Sequence, residues 1–433
     1  MKKVTLIWPK WKDRGAYSVS FFKIPPLGLL QLASLTPENW EVEIIDENIT
    51  PINFDAPTDL VGLSAMTSLA PQAYAIAAEY QKRKVPTVMG GIHASFLPEE
   101  ALRHVDSVVI GEADEVWGGI LKDFERSGLK RTYHATPPPS LDFRLARPVS
   151  RTFSINLSKF LPIHLPFAYI QAQRGCPIGC EFCSVTKFNG KRIRSKSIPY
   201  LLQEIEREME RNFRYLMLVD DNIIANPRFA KELFGALKGL GVKWASQTDI
   251  RIADEDFLDL ACEGGLKKVF LGLESIQPGI LRTSVARSKN MWRPKYEMAI
   301  KRLHSHGVFV EASFILGFDG DNDETVERTI DWALEQGVET AQFTIATPMP
   351  GTKFFSDLDA AGRIFTRDWS RFSGTECVFK PLAWTPEELE ERLHYAYRKF
   401  YSFTSIARRL LRPSLEALAL ATVNLDIRGL WQI

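Results

Sequence analysis

The feature that most constrains this chain is an alternation that occurs twice and is broken once. In the first third, Val4–Trp8, Val42–Ile45, Leu60–Ser64, Thr87–Met89 and Val108–Ile110 are short apolar runs that read as buried strands. Leu27–Leu35 and Ala70–Lys84, between them, read as helices. Strand, helix, strand at this pace predicts a doubly wound, parallel α/β sheet. Around residue 135 the pattern stops, because Pro137-Pro138-Pro139 can continue neither a helix nor a central strand. A second run then offers six strands: Ala168–Gln173, Tyr215–Val219, Val242–Gln247, Lys268–Leu273, Val308–Ile315 and Thr340–Ala346. Helical segments separate most of them, Leu201–Arg211 and Glu324–Gln336 being the clearest. Six βα units predict an open, partial (β/α)6 barrel in preference to a closed eight-stranded one.

Past Pro350-Gly351 the chain turns helical. Thr385 can cap a helix there, Pro386 suits its first position, and Glu388 can reach back to the cap. Trp384 and Leu389 are spaced for a hydrophobic staple across that start. At 433 residues the chain suits two or three domains, and its 45% hydrophobic and 25% charged residues exclude a disordered or coiled-coil chain. With a net charge of +1 it has no global electrostatic footprint for nucleic acid, so no nucleic-acid partner is expected. The apolar run after Met1-Lys2-Lys3 is too short for a signal peptide, and no run approaches the ~18 residues of a spanning helix. The expectation is a cytoplasmic, soluble protein.

Of five cysteines, Cys176, Cys180 and Cys183 fall within eight residues, as C-x3-C-x2-C directly after a predicted strand; Cys262 and Cys377 stand alone. An odd count argues against a disulfide framework. Three thiolates on one loop can hold three corners of a 4Fe–4S cluster, and with no fourth cysteine nearby one iron is left open to a substrate. The competing reading is a structural zinc knot, which wants four ligands, often as paired C-x2-C; no second pair exists, and the closest histidine, His164, precedes the strand.

C-x3-C-x-F-C at the end of a first strand, with a six-unit barrel behind it, resembles the radical S-adenosylmethionine (SAM) superfamily. The resemblance extends over nearly the whole chain. Pro25-Pro26-Leu27-Gly28-Leu29, Gly90-Gly91-Ile92-His93 and Val109 to Glu115 resemble the cobalamin-binding Rossmann domain that precedes the barrel in one large subclass. Asp368-Trp369-Ser370 and Trp384 to Tyr401 resemble the C-terminal extension of hopanoid- and tetrapyrrole-modifying members. The implied organisation is a Rossmann-like doubly wound domain over 1–135, a linker over 136–165, the barrel over 166–352 and a helical C-terminal extension over 353–433.

The resemblance implies roles residue by residue. Cys176, Cys180 and Cys183 ligate the cluster, and Phe182 matches an aromatic whose backbone contacts adenine. Asp220-Asp221-Asn222 stands where many members carry a Gly-Gly-Glu that binds the SAM ammonium; a surface turn is the alternative. Glu274 matches a residue that hydrogen-bonds the SAM ribose or amino group, with a helix-capping acid as the alternative, and Ser313, Gln247 and Arg251 follow more weakly. Ile315 to Phe318 and Pro348 to Gly351 are expected as adenine walls. In the N-terminal domain Ser64, Thr67, Ser68, Gly90, Gly91, Gly111 and Glu112 sit at strand ends, where such sheets bind ligands and where glycines also serve plain tight turns.

The implied activity is cobalamin-dependent methylation of an unactivated carbon on a large apolar small molecule, a lipid or a tetrapyrrole. The alternative is a radical oxidation, cyclisation or rearrangement without methyl transfer; a non-catalytic metal-binding module is the third reading. The implied cofactors are a 4Fe–4S cluster, SAM and cobalamin, and the implied partner is an electron donor such as flavodoxin or ferredoxin. The loop from Pro9 to Pro26 contains no histidine, so no protein imidazole is expected on the cobalt. Near the C-terminus, Ile406, Leu410, Leu411, Leu415, Leu418 and Leu420 lie beside Arg408, Arg409 and Arg412, interrupted by Pro413. Peripheral membrane contact is one reading of that stripe and core packing the other.

Overall fold

The computed structural model of the chain describes residues 1–11, 25–143, 154–156, 164–282, 289, 293–410 and 415–431. Two α/β layers and a helical extension make up the fold. In the first, strands β1 (Lys2–Trp8), β2 (Trp40–Asp46), β3 (Leu60–Ser64), β4 (Thr87–Gly90), β5 (Ser107–Ile110) and β6 (Thr132–His134) are all parallel, in the order β2-β1-β3-β4-β5-β6. Neighbouring residues along these strands go to opposite faces, and both faces are covered. Ile7, Val61, Leu63, Met89 and Val108 pack against α2 (Ala70–Lys82). Val4, Leu6, Leu60, Val88 and Val109 pack with Leu29 and Ala33 of α1 (Leu27–Leu35) and with Trp117, Ile120 and Leu121. Double burial is why these strands read as unbroken apolar runs. Helix α2 ends two residues before the expected Lys84, which takes a left-handed φ of 59°. Strand β6 escaped the sequence reading because three residues, Thr-Tyr-His, carry too little pattern.

The second sheet has the order β15-β14-β13-β12-β11-β8-β7. Its six parallel members are β8 (His164–Ile170), β11 (Tyr215–Leu218), β12 (Lys243–Thr248), β13 (Leu266–Glu274), β14 (Phe309–Leu316) and β15 (Thr340–Ile345). Strand β7 (Ser154–Asn156), inside the expected linker, adds an antiparallel edge. The parallel strands follow one another in sequence with no reversal, so the crossovers all run one way and curl the sheet into a partial barrel. Ile170, Leu216, Leu218, Trp244, Leu271 and Phe314 face the helices in one large core. The alternate residues, among them Gln247, Phe270, Glu311 and Gln342, are half-buried on the other face. The first strand of this sheet is corrected: it runs His164–Ile170, not Ala168–Gln173. The Asp220 carboxylate accepts the backbone N–H groups of Ala172 (2.7 Å) and Gln173 (2.9 Å) and pulls the chain out of the ladder. Gln173–Arg174 (β9) then pairs antiparallel with Arg194–Ser195 (β10).

An open barrel leaves β15 as an edge strand with unpaired backbone groups. The C-terminal extension satisfies them. The helix Pro386–Phe400 starts with the expected capping box between Thr385 and Glu388. Tyr397 on this helix donates its hydroxyl to the Phe343 carbonyl (3.0 Å) and accepts from the Phe343 N–H (3.3 Å). Tyr401, just past its end, does the same for Ala341 (2.7 and 3.1 Å). The apolar tail stripe packs inward: Ile406, Leu410 and Leu420 form a buried cluster. Arg409, expected beside a lipid-facing stripe, is instead buried and donates to the carbonyls of Val338, Glu339 and Phe400. Leu418 and Arg408 are exposed; Leu411, Arg412 and Pro413, and the side chain of Leu415, lie outside the described residues. No helix among the described residues is long and apolar enough to cross a membrane.

Replacing Tyr397 or Tyr401 by Phe keeps the packing and strands one buried N–H and one C=O. Each change is expected to cost roughly 1–3 kcal/mol, read from the midpoint of chemical unfolding. Wild-type stability of the double variant would show that water or backbone movement satisfies that edge.

Candidate functional site

The cysteine loop begins where β9 ends. Gly175 has φ 101°, and a Cβ there would lie 2.7 Å from the Arg192 carbonyl oxygen, so only glycine lets the loop turn against that neighbour. The loop then folds on itself, Cys183 N–H donating to the Cys180 carbonyl (3.1 Å). Cys176, Cys180 and Cys183 are free and half-exposed, whereas Cys377 is buried. Burial pushes all three thiols above their ordinary range, Cys183 to about 11, and each of the others adds to the cost of ionising Cys180. Three crowded thiols that resist ionisation call for a strongly cationic partner to hold them as thiolates. Among the described residues no group of three His, Cys, Asp or Glu side chains is arranged to hold a single metal ion. Three thiols on one loop can each take their own iron of a polynuclear cluster.

The three acidic and amide residues after β11 separate in space. Asp220 is buried, spends one oxygen on the Ala172 and Gln173 amides, and leaves the other without a partner. Burial lifts its carboxyl to about 7 against those two N–H donors. Asn222 donates to Asp249 (2.8 Å), which is held bidentately by Arg251 (2.9 and 2.7 Å). Asp221 alone reaches the cysteine loop, accepting from the Gly175 N–H and the Asn189 amide, both at 3.2 Å. Glu274 ends β13 with a left-handed φ of 65° and pairs with buried Lys289 at 3.3 Å. Lys289 was not singled out from sequence, because it stands fifteen residues from its partner in a stretch without strand or helix pattern. Gln247 and Ser313 lie on β12 and β14, on the face away from the helices. Phe182 packs on Phe318 with ring centroids 5.9 Å apart.

Across from the loop, a cleft of about 360 Å³ opens at the carboxyl edge of the first sheet. Its apolar wall includes Trp8, Leu27, Leu29, Leu32 and Trp117; Ser64, Ala65, Met66, Gly90, Gly91, Gly111 and Glu112 form its rim. The opposite wall comes from the cysteine-loop region, through Gln171, Arg174, Val185, Asn189 and Asp221. The cleft is thus an apolar trough with backbone and short polar groups at its lip. Thr67 and Ser68 do not line this cleft. They are buried in a single turn, Thr67–Leu69, that packs against Trp369–Arg371 of the extension. The turn at Gly91, φ 91°, is demanded by the backbone itself, since a Cβ would sit 2.8 Å from the Ala65 oxygen. His93 points elsewhere: its Nε2 meets the Tyr74 hydroxyl (2.8 Å), its ring packs edge-on to Trp369, and burial holds its imidazole below the usual range.

The Glu112 carboxylate does not reach into the cleft alone; it binds two arginines of the cysteine-loop region. Arg174 donates to it at 2.7 Å and to Asp114 at 2.9 Å, and Arg194 forms a two-pronged pair with it. Arg174 immediately precedes Gly175-Cys176. The one hint of this network in the sequence was the acidic run Glu112-Ala-Asp114, whose partners lie some sixty residues away.

Comparison with known proteins agrees with this geometry. Residues 170–333 match the radical SAM superfamily and residues 15–121 the B12 binding domain. The chain is 29% identical over 430 residues to the bacteriochlorophyllide d C-12(1)-methyltransferase of Chlorobaculum tepidum, covering 94% of this chain and 89% of that one. It is 30% identical to an uncharacterized methyltransferase of Pyrococcus horikoshii, covering 87% and 88%. The fold matches that of the radical SAM methyltransferase TsrM from Kitasatospora setae, solved with cobalamin and a [4Fe-4S] cluster, with a TM-score of 0.70 over 100% of this chain and 99% of that one at 14% identity. A cysteine loop at the mouth of one α/β layer, facing a cleft in another that matches the B12 binding domain, places this chain in the cobalamin-dependent radical SAM methyltransferase family.

Proposed function

We propose that the chain methylates an unactivated carbon of a large, mostly apolar small molecule, with a tetrapyrrole favoured. The observation that carries this reading is that residues flanking the cysteine loop, among them Arg174, Val185 and Asn189, and the carboxyl edge of the first sheet line one cleft, with Asp221 in the same wall. A methyl donor on one side and a radical generator on the other are both needed only when the accepting carbon cannot act as a nucleophile. The tetrapyrrole preference rests on the Chlorobaculum relative, named for its action on bacteriochlorophyllide d, and on the apolar residues lining the cleft.

Bound to this chain, a 4Fe–4S cluster with SAM supplies a carbon-centred radical, and cobalamin supplies the methyl group. Cys176, Cys180 and Cys183 hold the cluster as thiolates. Asp221, anchored to the Gly175 N–H, keeps the first turn of that loop fixed and presents an anion toward an ammonium group. The Glu274–Lys289 pair offers both signs of charge, as the zwitterionic end of an amino acid requires. Phe182 and Phe318 supply an aromatic surface beside the loop, and Gln247 and Ser313 supply hydrogen bonds from the barrel. Asp220 orients the loop from behind through the Ala172 and Gln173 amides. Ser64, Gly90, Gly91 and Gly111 would form the rim that holds cobalamin, and Glu112 would act there through its arginines.

Anaerobic turnover with SAM and a chlorin-type tetrapyrrole tests the reading. S-adenosylhomocysteine and 5′-deoxyadenosine are expected together, the first from methyl donation and the second from radical formation; 5′-deoxyadenosine alone would overturn methyl transfer. Cys176→Ala, Cys180→Ala and Cys183→Ala should each lose iron and both products, whereas Cys262→Ala and Cys377→Ala should keep them.

We further propose that no protein imidazole coordinates the cobalt. No histidine lines the cleft among the described residues, although residues 12–24 of the loop after β1 lie outside them; those residues contain no histidine either. Electron paramagnetic resonance of the Co(II) form, with cobalamin lacking its own base, reads this directly. Cobalt lines without nitrogen splitting are expected, and triplet splitting would refute it.

A further inference from the structure

The segment after the third cysteine lies over the cysteine loop as a strap. The Thr186 hydroxyl donates to the Cys176 carbonyl (3.3 Å), and the Cys176 N–H donates to the Gly190 carbonyl (3.4 Å). The Arg192 carbonyl presses on Gly175, and a Cβ at Gly179 would lie 3.7 Å from the Lys191 side chain. Asn189 ties the strap to Asp221 from within. Its outer surface carries Lys187, Lys191 and Arg192, all exposed, and none of them forms an ion pair among the described residues. The nearby acids are otherwise engaged: Glu181 and Asp357 both pair with Lys353. The chain as a whole has a net charge of only +1, so this cationic patch is local.

We propose that this strap is the docking surface for an acidic one-electron carrier protein. The inference rests on the cysteine loop holding an iron–sulfur cluster, as proposed above. Electron transfer weakens steeply with distance, so a carrier must approach close to the cluster, and the strap is bonded directly to the backbone of Cys176. Unpaired cations at that point steer and orient an acidic partner without a large apolar interface, which suits a transient encounter. In the transfer itself the reduced carrier loses one electron and the cluster gains it; no bond is made or broken. A nucleic acid or another polyanion would prefer a broader basic field than three residues.

Direct binding tests the proposal on the full-length, cluster-loaded protein, with an acidic flavodoxin and an acidic plant-type ferredoxin as probes. Wild type should bind at least one of them, with an affinity that falls as salt rises. K187E/K191E should weaken that binding about tenfold or more at low salt, equivalent to about 1.4 kcal/mol, and flatten its salt dependence. K295E/K301E carries the same change in net charge on the helix Tyr296–Ser305 and the residue before it, between β13 and β14 and several strands from β8; it should stay within about twofold of wild type. Equal loss in both variants, unchanged binding by K187E/K191E, no binding by wild type, or equal binding of heparin would each overturn the assignment. Iron and sulfide content of the wild type, with dithionite-driven SAM cleavage, separates this failure from failure of the radical SAM reading, because dithionite needs no docking surface.

Discussion

One carboxylate, Glu112, joins the two halves of this molecule. It leaves the fifth strand of the first sheet and is shared by Arg174 and Arg194, which flank the cysteine loop on the two strands of a short hairpin. Charges this deeply buried persist only when paired and hydrogen-bonded. Here the partners are forked guanidiniums, with Asp114 balancing the second positive charge. The network fixes the distance and angle between the cleft and the cysteine loop. The proposed reaction, in which two cofactors act on one substrate carbon, requires that relation to be rigid.

A second set of contacts holds the far side. A Cβ at Gly351, just past the last barrel strand, would strike the ring of Phe96 in the first layer at 2.7 Å. Trp369 of the extension donates to Glu100 (2.7 Å), which also accepts from Tyr74. The extension therefore closes the open edge of the barrel through Tyr397 and Tyr401 and clamps the first layer through Trp369. The extension thus supplies the edge bonding that a closed barrel would otherwise provide.

Periodicity made both sheets legible in the sequence. Strands buried on both faces are written as apolar runs, and the Thr385–Glu388 cap was found because capping is local. The cysteine loop was legible because its spacing sets its chemistry. What escaped was the pairing of distant charges. Asp220, Asp221 and Asn222 are adjacent in sequence but turn to three different partners, and nothing local distinguishes the acid that meets Gly175 from the one that ends β8. Lys289 and Arg194 are single residues in irregular stretches, and Arg409 read as a surface cation because two of its carbonyl partners, Val338 and Glu339, lie some seventy residues away. Thr67 and Ser68 sit at a strand end yet face the extension, which a strand-end rule does not reveal.

The relation between the two halves is tested most directly by removing Glu112. Glu112→Ala is expected to cost about 3–5 kcal/mol, as for other stranded buried cations, and to speed amide hydrogen exchange together in 107–115 and in 173–195. Unchanged stability, or faster exchange in only one of those segments, would show that the two layers are held in register by something other than this carboxylate.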